Sequence, residues 1–276
     1  MSHAAKVIAV ANQKGGVGKT TTAVNVAASL ATAEKRTLLV DTDPQANASS
    51  GVGVRPRSAP VSVYDALAGH TGVREAILPT EIPSLSILPA TQDLVGIELE
   101  LIDAPDRATR LRRLIEEVGE DYDYIILDCP PSLGLITVNS LTAADHVLIP
   151  LQCEYYALEG LTQLMATIDR VRELYNDDLS IAGVVLTMFD SRNSLTHQVA
   201  DEVRQHLFVF ETIIPRNVKL SEAPSHGVPV LLYDIGCKGS QGYLSLAREL
   251  MVRLDDAPTL MPPASRGLSM SSKDSA

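Results

Sequence analysis

Eight residues near the N-terminus, Gln13 to Thr20, constrain this chain more than any other part of its sequence. They read Gln-Lys-Gly-Gly-Val-Gly-Lys-Thr and follow an apolar, β-branched run at Val7–Ala11 that is typical of a buried strand. An Ala-rich helix is predicted next at Thr20–Ala33, and a second strand at Thr37–Asp41. The region therefore has the order strand, loop, helix, strand, which is a βαβ unit.

The composition of this loop is that of a phosphate-binding loop. Glycines let backbone N–H groups turn toward phosphate oxygens, and the following helix adds its positive end. Lys19 can reach the β- and γ-phosphates, while Thr20 can ligate Mg²⁺. A Gly-rich turn with a solvated lysine is the alternative, which Gly-Lys-Thr in this context disfavours. The predicted nucleotide-binding residues here are Lys14, Gly15, Gly16, Val17, Gly18, Lys19, Thr20 and Thr21.

The loop departs from the usual motif in two ways. The glycine expected five residues before Gly18 is replaced by Gln13, and Lys14 lies inside the loop. Because Lys19 can already contact the phosphates, Lys14 has no obvious role in binding a nucleotide in its own loop. It could instead reach a phosphate on a facing subunit, like a finger supplied in trans.

Strands and helices continue to alternate along the chain. Further strands are predicted at Leu85–Pro89, Tyr124–Asp128, His146–Pro150, Ile181–Met188 and Val209–Ile214, and further helices at Arg107–Val118, Ala157–Tyr175, Leu195–Leu207 and Tyr243–Leu254. This alternation predicts an α/β fold, a single P-loop NTPase domain over residues 1–256. Its mostly parallel, twisted sheet would be flanked by helices on both faces. Residues 257–276 lose periodicity, and we expect a flexible C-terminal tail there.

Composition excludes several classes of protein. The 276 residues are 45% hydrophobic and 21% charged, which is ordinary for a globular domain and excludes a mostly disordered chain. The sequence has no apolar run long enough to span a membrane and no signal segment, so we expect a cytoplasmic protein. Cys129, Cys153 and Cys237 are far apart and predict reduced thiols. The net charge of −11 argues against nucleic-acid binding by the chain as a whole.

Carboxylates follow two of the predicted strands. Asp128 ends an apolar strand, at the sheet edge where α/β folds bind ligands, and can hold Mg²⁺ through water. Asp41 and Asp43 follow the second strand. Pro44 biases Asp43 toward an extended conformation, which would project its carboxylate toward a γ-phosphate. The alternative is that such residues merely cap a turn or loop.

Four segments, in this order, resemble the ParA/MinD/iron-protein class of ATPases with a deviant Walker A motif. The first is the loop itself, which contains Lys-Gly-Gly-x-Gly-Lys-Thr. Asp41–Gln45 resembles the switch I segment of that class, and Asp128–Ser132 resembles its Walker B and switch II segment. Ile214–Ser225 is similar to a stretch typical of the short chromosomal ParA proteins, also called Soj. The similarity covers about residues 5–255.

The resemblance implies a slow, partner-stimulated ATPase that acts as a switch in chromosome or plasmid segregation, with ATP and Mg²⁺ as cofactors. Asp43 would orient or deprotonate the attacking water, and Asp41 would lie nearer to Mg²⁺ or Thr20. The implied catalytic groups are Lys14, Asp43 and Lys19, and the implied metal-site residues are Thr20, Asp43 and Asp128.

The resemblance also implies binding partners. An ATP-dependent homodimer would bind non-specific DNA at the nucleoid, and a ParB-like protein would reset it. The residues that would hold adenine are Met188, Pro215 and Asn217, and the candidate DNA contacts are Arg192, Lys219 and Arg216. The alternative for Met188 is a plain core side chain, and the alternative for each DNA candidate is a solvated surface charge.

Three other functions share the loop. A MinD-like membrane ATPase needs a basic amphipathic C-terminal helix, whereas Pro262–Asp274 contains two prolines and little apolar pattern, so no membrane partner is expected. An iron-protein-type reductase needs two cysteines per chain for a bridging [4Fe–4S] cluster, and the cysteine count alone leaves this open. A metabolic ligase would need a dedicated substrate pocket.

Overall fold

The computed structural model describes residues 5–55 and 59–256, so the tail predicted at 257–276 lies outside the described residues. The strands are β1 (Lys6–Val10), β2 (Thr37–Asp41), β3 (Leu78–Pro79), β4 (Leu85–Leu88), β5 (Tyr124–Asp128), β6 (His146–Gln152), β7 (Ser180–Phe189) and β8 (Val209–Pro215). The α-helices are α1 (Lys19–Thr32), α2 (Asn47–Gly51), α3 (Val63–Ala68), α4 (Val73–Ala76), α5 (Ile97–Glu100), α6 (Arg110–Val118), α7 (Leu135–Ala143), α8 (Ala157–Leu174), α9 (Ser194–Arg204), α10 (Val218–Glu222), α11 (Val230–Tyr233) and α12 (Lys238–Asp256).

The strands form one sheet in the order β3-β4-β2-β5-β1-β6-β7-β8. Neighbouring strands are parallel throughout, except that β3 and β4 are antiparallel. The predicted fold class is therefore confirmed. Because parallel strands share one polarity, the carboxyl ends of β2, β5, β1, β6 and β7 meet at the same edge of the sheet.

Apolar side chains pack on both faces of the sheet. In β1, Val7 and Ala9 belong to one buried layer, while Ile8 and Val10 belong to the other. Helices α6 to α9 contribute buried side chains to the first layer, and α1, α11 and α12 contribute to the second. Across residues 5–55 and 59–256, no helix combines the length and the apolar character needed to span a membrane.

Element ends follow the sequence pattern closely where the apolar periodicity is strong. Every predicted strand occurs, and its ends lie within two residues of the predicted ones. The last helix begins at Lys238, before its predicted start at Tyr243. The prediction started too late because Gly239 and Gly242 weaken the helical pattern in the sequence. A Cβ at Gly239 would lie 2.7 Å from the Leu220 side chain, so this glycine allows close packing.

The sequence pattern does not predict helix α7. Seven of its nine residues are buried, and its apolar residues lie on all sides rather than along one stripe. Without an amphipathic period the segment cannot be distinguished from a buried strand or loop. Only the packing of α7 between α6 and α8 shows that it is a helix.

Candidate active site

The glycine-rich loop leaves the sheet at its centre. Strand β1 lies between β5 and β6, so the loop has one strand end on each side. Gly16 and Gly18 adopt positive φ angles of 77° and 89°, which a side chain would strain. Gly18 is also the residue that precedes α1. The free N–H groups at the start of α1 therefore lie beside the loop.

Two polar side chains hold the loop against neighbouring strands. The hydroxyl of Thr187, buried in β7, donates to the carbonyl oxygen of Val17 at 2.8 Å. Asn12 donates to the carbonyl oxygen of Pro150 in β6 at 2.8 Å and accepts from the backbone N–H of Lys14 at 3.0 Å. Sequence reasoning missed both residues, since neither Asn12 nor Thr187 belongs to a recognised motif.

The two loop lysines point in different directions, and Lys19 lies within the loop. Its Nζ donates to the carbonyl oxygen of Lys14 at 3.0 Å, and the residue is 7% exposed. Burial lowers the pKa of Lys19, while the charge of Asp128 acts against that change. An ammonium group in this position can meet phosphate oxygens with little rearrangement.

The side chain of Lys14 leaves its own loop. Its Nζ pairs with Glu154 Oε2 at 2.5 Å, and the two side chains are 29% and 50% exposed. Glu154 follows β6, at the same sheet edge as the loop. Sequence analysis missed Glu154, because the predicted strand ends at Pro150 and Glu154 is not at its end, whereas Asp128 is the last residue of its strand.

Two carboxylates lie side by side on the other flank of the loop. Asp41 and Asp128 are register partners across β2 and β5, and both are fully buried. Burial raises the pKa of Asp128, and the neighbouring charge of Asp41 raises it further. The Thr20 hydroxyl and Lys19 partly offset this effect.

The Asp128 carboxylate fits a magnesium site. Within the described ranges, neither of its oxygens has a hydrogen bond of ordinary length and angle. Unpartnered, buried carboxylate oxygens are costly unless a cation satisfies them. Mg²⁺ prefers hard oxygen ligands and usually keeps several waters, so Asp128 with the Thr20 hydroxyl and a phosphate matches its needs.

Asp41 organises the segment that carries Asp43. Asp41 Oδ2 accepts from both the backbone N–H and the hydroxyl of Ser49, each at 2.7 Å, and its Oδ1 accepts from the N–H of Asp43 at 3.2 Å. Both oxygens of Asp41 therefore take part in this turn. The expectation that Asp41 lies nearer to Mg²⁺ or Thr20 stays a prediction. Asp43 is 8% exposed, accepts the N–H of Gln45 at 2.9 Å, and is close enough to Lys19 and Asp128 to affect their pKa values.

The three predicted adenine contacts lie at the ends of β7 and β8. Phe189, next to Met188, is in register with Pro215, and Asn217 caps α10 by accepting the N–H of Lys219 at 2.8 Å. Met188 has a positive φ of 48°, which is strained for a residue with a side chain. A nearby cleft of about 430 Å³ is lined by Thr20, Thr21, α2 and residues 220–230. Because Met188, Pro215 and Asn217 do not line that cleft, their contact with adenine stays a prediction.

The three candidate DNA contacts are at the same sheet edge. Arg192 is 89% exposed at its side chain and pairs with Asp190 at 3.1 Å. Arg216 is exposed and lies near enough to Asp190 to lower its pKa, after the larger effect of Arg192. Lys219 pairs with Glu222 at 2.9 Å. Their role in DNA binding stays a prediction.

Comparison with known proteins identifies the family. A family model described as an AAA domain matches residues 5–181. A chromosome partitioning protein ParA from Myxococcus xanthus is 57% identical over 250 residues, which cover 90% of this chain and 88% of that protein. This chain belongs to the ParA/Soj family of chromosome-partitioning ATPases. The sporulation initiation inhibitor protein Soj of Bacillus subtilis is 53% identical over 247 residues, covering 89% and 98% of the two chains.

Solved structures support the same fold and the same ligand class for the family. A cobyrinic acid a,c-diamide synthase from Mycobacterium smegmatis, solved with ADP and magnesium, has a TM-score of 0.81 and 36% identity. The match covers 94% of this chain and 100% of that chain. The predicted family and fold of this ParA/Soj protein are confirmed.

Replacing Lys19 with Ala should abolish tight ATP binding, because the substitution removes a charge-assisted contact to the phosphates. Such a contact is worth about 1.5–3 kcal/mol, which raises the Kd roughly 10- to 150-fold. Titration with a fluorescent ATP analogue measures the change, and Lys35→Ala, at an exposed site, is the control. Equal affinity in the two variants would show that Lys19 does not hold the nucleotide.

Proposed function

We propose that this ParA/Soj protein is an ATP-driven switch for chromosome or plasmid segregation. ATP with Mg²⁺ joins two copies as a sandwich dimer, and the dimer binds DNA without sequence preference at the nucleoid. A ParB-like partner stimulates the otherwise slow hydrolysis and so returns the protein to its monomeric state. The observation that carries this proposal is the divergence of the two lysines: Lys19 lies in its own cradle, whereas Lys14 extends out of it.

The ion pair that holds Lys14 is easily exchanged. Exposed pairs such as Lys14–Glu154 contribute about 0–1 kcal/mol, whereas a hydrogen bond to a charged phosphate contributes about 1.5–3 kcal/mol. A facing subunit that brings its ATP to this side of the loop would therefore draw Lys14 from Glu154. Without a phosphate on the facing subunit, Lys14 gains no contact by leaving Glu154. We therefore expect dimerisation to require ATP.

Hydrolysis requires a positioned water and neutralisation of the phosphate charge. Asp128 and Thr20 would hold Mg²⁺, which neutralises phosphate charge when bound. Lys19 and the partner's Lys14 would contribute two further positive charges. Asp43, fixed by its hydrogen bond to Gln45, would orient the attacking water or accept its proton.

DNA binding has to overcome the net charge of −11. A dimer presents two copies of the edge that carries Arg192, Arg216 and Lys219, and non-specific binding needs only a local phosphate-neutralising patch. Arg192 and Lys219 each have a neighbouring carboxylate with which the phosphates must compete. We therefore expect weak binding that is sensitive to salt.

The alternative functions have less support. The C-terminal segment that a MinD-like membrane ATPase requires lies outside the described residues. Cys129 and Cys153 are 1% and 5% exposed, which is a poor arrangement for a cluster bridging two subunit surfaces. The synthase from Mycobacterium smegmatis is 36% identical to this chain, compared with 57% for the Myxococcus ParA protein. Partitioning is therefore the function we propose.

Replacing Lys14 with Ala should leave nucleotide binding by the monomer but remove ATP-dependent dimerisation and DNA binding, because only the contact in trans is lost. Size-exclusion chromatography with light scattering, with ATP and with ADP, measures the oligomeric state. Lys35→Ala is the matched control and should dimerise like the wild type. Dimers of the Lys14→Ala protein in ATP would contradict the role in trans.

Replacing Asp43 with Ala should yield a protein that binds ATP, dimerises and stays on DNA, because only water activation is lost. General-base or positioning groups typically contribute about 10²–10⁴-fold, so we expect a loss of turnover in that range. Phosphate release measures the rate, with exposed Asp177→Ala as the control. Wild-type turnover in Asp43→Ala would move the role to another group.

Replacing both Arg192 and Lys219 with Ala should weaken binding to every DNA sequence about equally, because phosphate contacts carry no base information. Up to four contacts per dimer would be lost, and the slope of log affinity against log salt should fall by up to about 0.9 for each. The control, Lys35→Ala/Arg170→Ala, removes the same charge from other surfaces. Unchanged affinity and slope would place the DNA patch elsewhere, while dimerisation and DNA-independent hydrolysis should survive in either case.

A further inference from the structure

An apolar stripe is exposed on residues 92–102, a segment that comprises a 3₁₀ helix (Gln92–Gly96), helix α5 and the turn after it. Leu94, Ile97 and Leu101 of this segment are buried in the core. On the outer side, Val95, Leu99 and Ile102 are 67%, 75% and 57% exposed. Val95 lies in the 3₁₀ helix, Leu99 in α5 and Ile102 in the turn that follows. Large apolar side chains grouped in this way are typical of a binding surface.

The surroundings of the stripe are strongly acidic. Residues 92–106 contain five acidic residues and no basic one. The next residue, Arg107, donates from its guanidinium to the carbonyl oxygen of Ile102 at 2.8 Å. Among the described ion pairs, only Asp106 of the five takes part, with Arg110 and Arg113. The other four acidic residues, which alternate with the stripe residues along the chain, are Asp93, Glu98, Glu100 and Asp103. A cationic partner would complement this surface.

The charges also decide against two other occupants. A second copy of this chain, placed symmetrically on the stripe, would bring the same acidic groups face to face, and like-charge juxtaposition across an interface costs several kcal/mol. DNA would meet the same repulsion. A helix with one apolar side and Lys or Arg residues beside it meets both the apolar stripe and the acidic rim.

One of these carboxylates connects the stripe with the nucleotide site. Glu98 Oε1 accepts the backbone N–H of Leu135, the first residue of α7, at 2.9 Å. A Cβ at Gly134 would lie 2.5 Å from the same oxygen, so Glu98 packs directly on the turn before the helix. That turn ends the segment that begins at Asp128, the residue that fits the magnesium site.

We propose that the stripe formed by Val95, Leu99 and Ile102 is the docking surface for a cationic amphipathic helix of the partner that stimulates hydrolysis. This inference rests on the proposed function, in that such a partner exists. The apolar side of the partner helix covers the stripe, and its Lys or Arg side chains pair with Asp93, Glu100 and Asp103. A cation that competes for Glu98 releases the N–H of Leu135, and the start of α7 then shifts together with the segment that follows Asp128.

The test uses the full-length chain and the ParB-like protein of the same organism as the probe. ATP turnover is measured with DNA while the concentration of the probe is raised. Leu99→Ser/Ile102→Ser and, separately, Asp103→Lys should raise the half-maximal concentration of the probe at least about tenfold, because apolar anchors and charge complementarity are both weakened. Basal turnover, ATP-dependent dimerisation and DNA binding should remain within about twofold of the wild type.

Matched controls lie at the end of α8, away from the stripe. Leu174→Ser removes a side chain that is 51% exposed, and Asp177→Lys makes the same charge change as Asp103→Lys at an exposed site. Both variants should respond to the probe like the wild type. A photo-crosslinking amino acid at position 99 should capture the probe, and one at position 174 should not.

The outcomes distinguish a failure of the docking surface from a failure of the proposed function. Wild-type stimulation of Leu99→Ser/Ile102→Ser and of Asp103→Lys would overturn the docking surface and leave the proposed function intact. Loss of ATP-dependent dimers in Leu99→Ser/Ile102→Ser would assign the stripe to a second copy and would also overturn it. A wild-type protein that the probe does not stimulate would overturn the proposed reset step, and the inference with it.

Discussion

The shared polarity of the parallel strands is the constraint on which the rest of this structure depends. It brings the loop after β1, the carboxylates after β2 and β5, Glu154 after β6 and Thr187 in β7 to one edge of the sheet. The loop is then held by short contacts, from Thr187 to Val17 and from Asn12 to the backbone of β6. Residues that are remote in the chain thereby act as one site.

Charge balance at this edge favours binding of a nucleotide together with its metal. Asp128 is buried with no hydrogen bond of ordinary geometry in the described part of the chain, and Lys19 is buried beside it. A nucleotide with its metal supplies an anion for the lysine and a cation for the carboxylate, so binding removes two costs at once. The outward lysine, Lys14, pairs with Glu154, and the apolar stripe of residues 92–102 is connected through Glu98 to the turn before α7. One faces a second copy and the other a partner in the functions that we propose.

Much of the fold could be predicted because its strands are strongly apolar and its loops contain glycine. The βαβ unit, the later strands and the helices on both faces all follow from period and turn signals. Helix α7 could not be predicted, since burial on all sides removes the amphipathic period. Of the candidate site, the loop and Asp128 stand where strand ends predict them. The hydrogen bonds of Asp41 to Ser49 and to the N–H of Asp43 could not be predicted, because they depend on how the chain turns after β2.

The sequence by itself determined the family, the phosphate loop and the sheet edge at which the site lies, because these depend on motifs and periods that are local in the chain. Only the tertiary structure decided where each charged side chain is directed. Lys14 and Glu154 are 140 positions apart, and Thr187 meets Val17 across 170 positions. Such contacts depend on strand order and register, which no local pattern encodes. The exposure of Val95, Leu99 and Ile102 is likewise a property of packing, because their residue types do not distinguish them from the buried Leu94, Ile97 and Leu101.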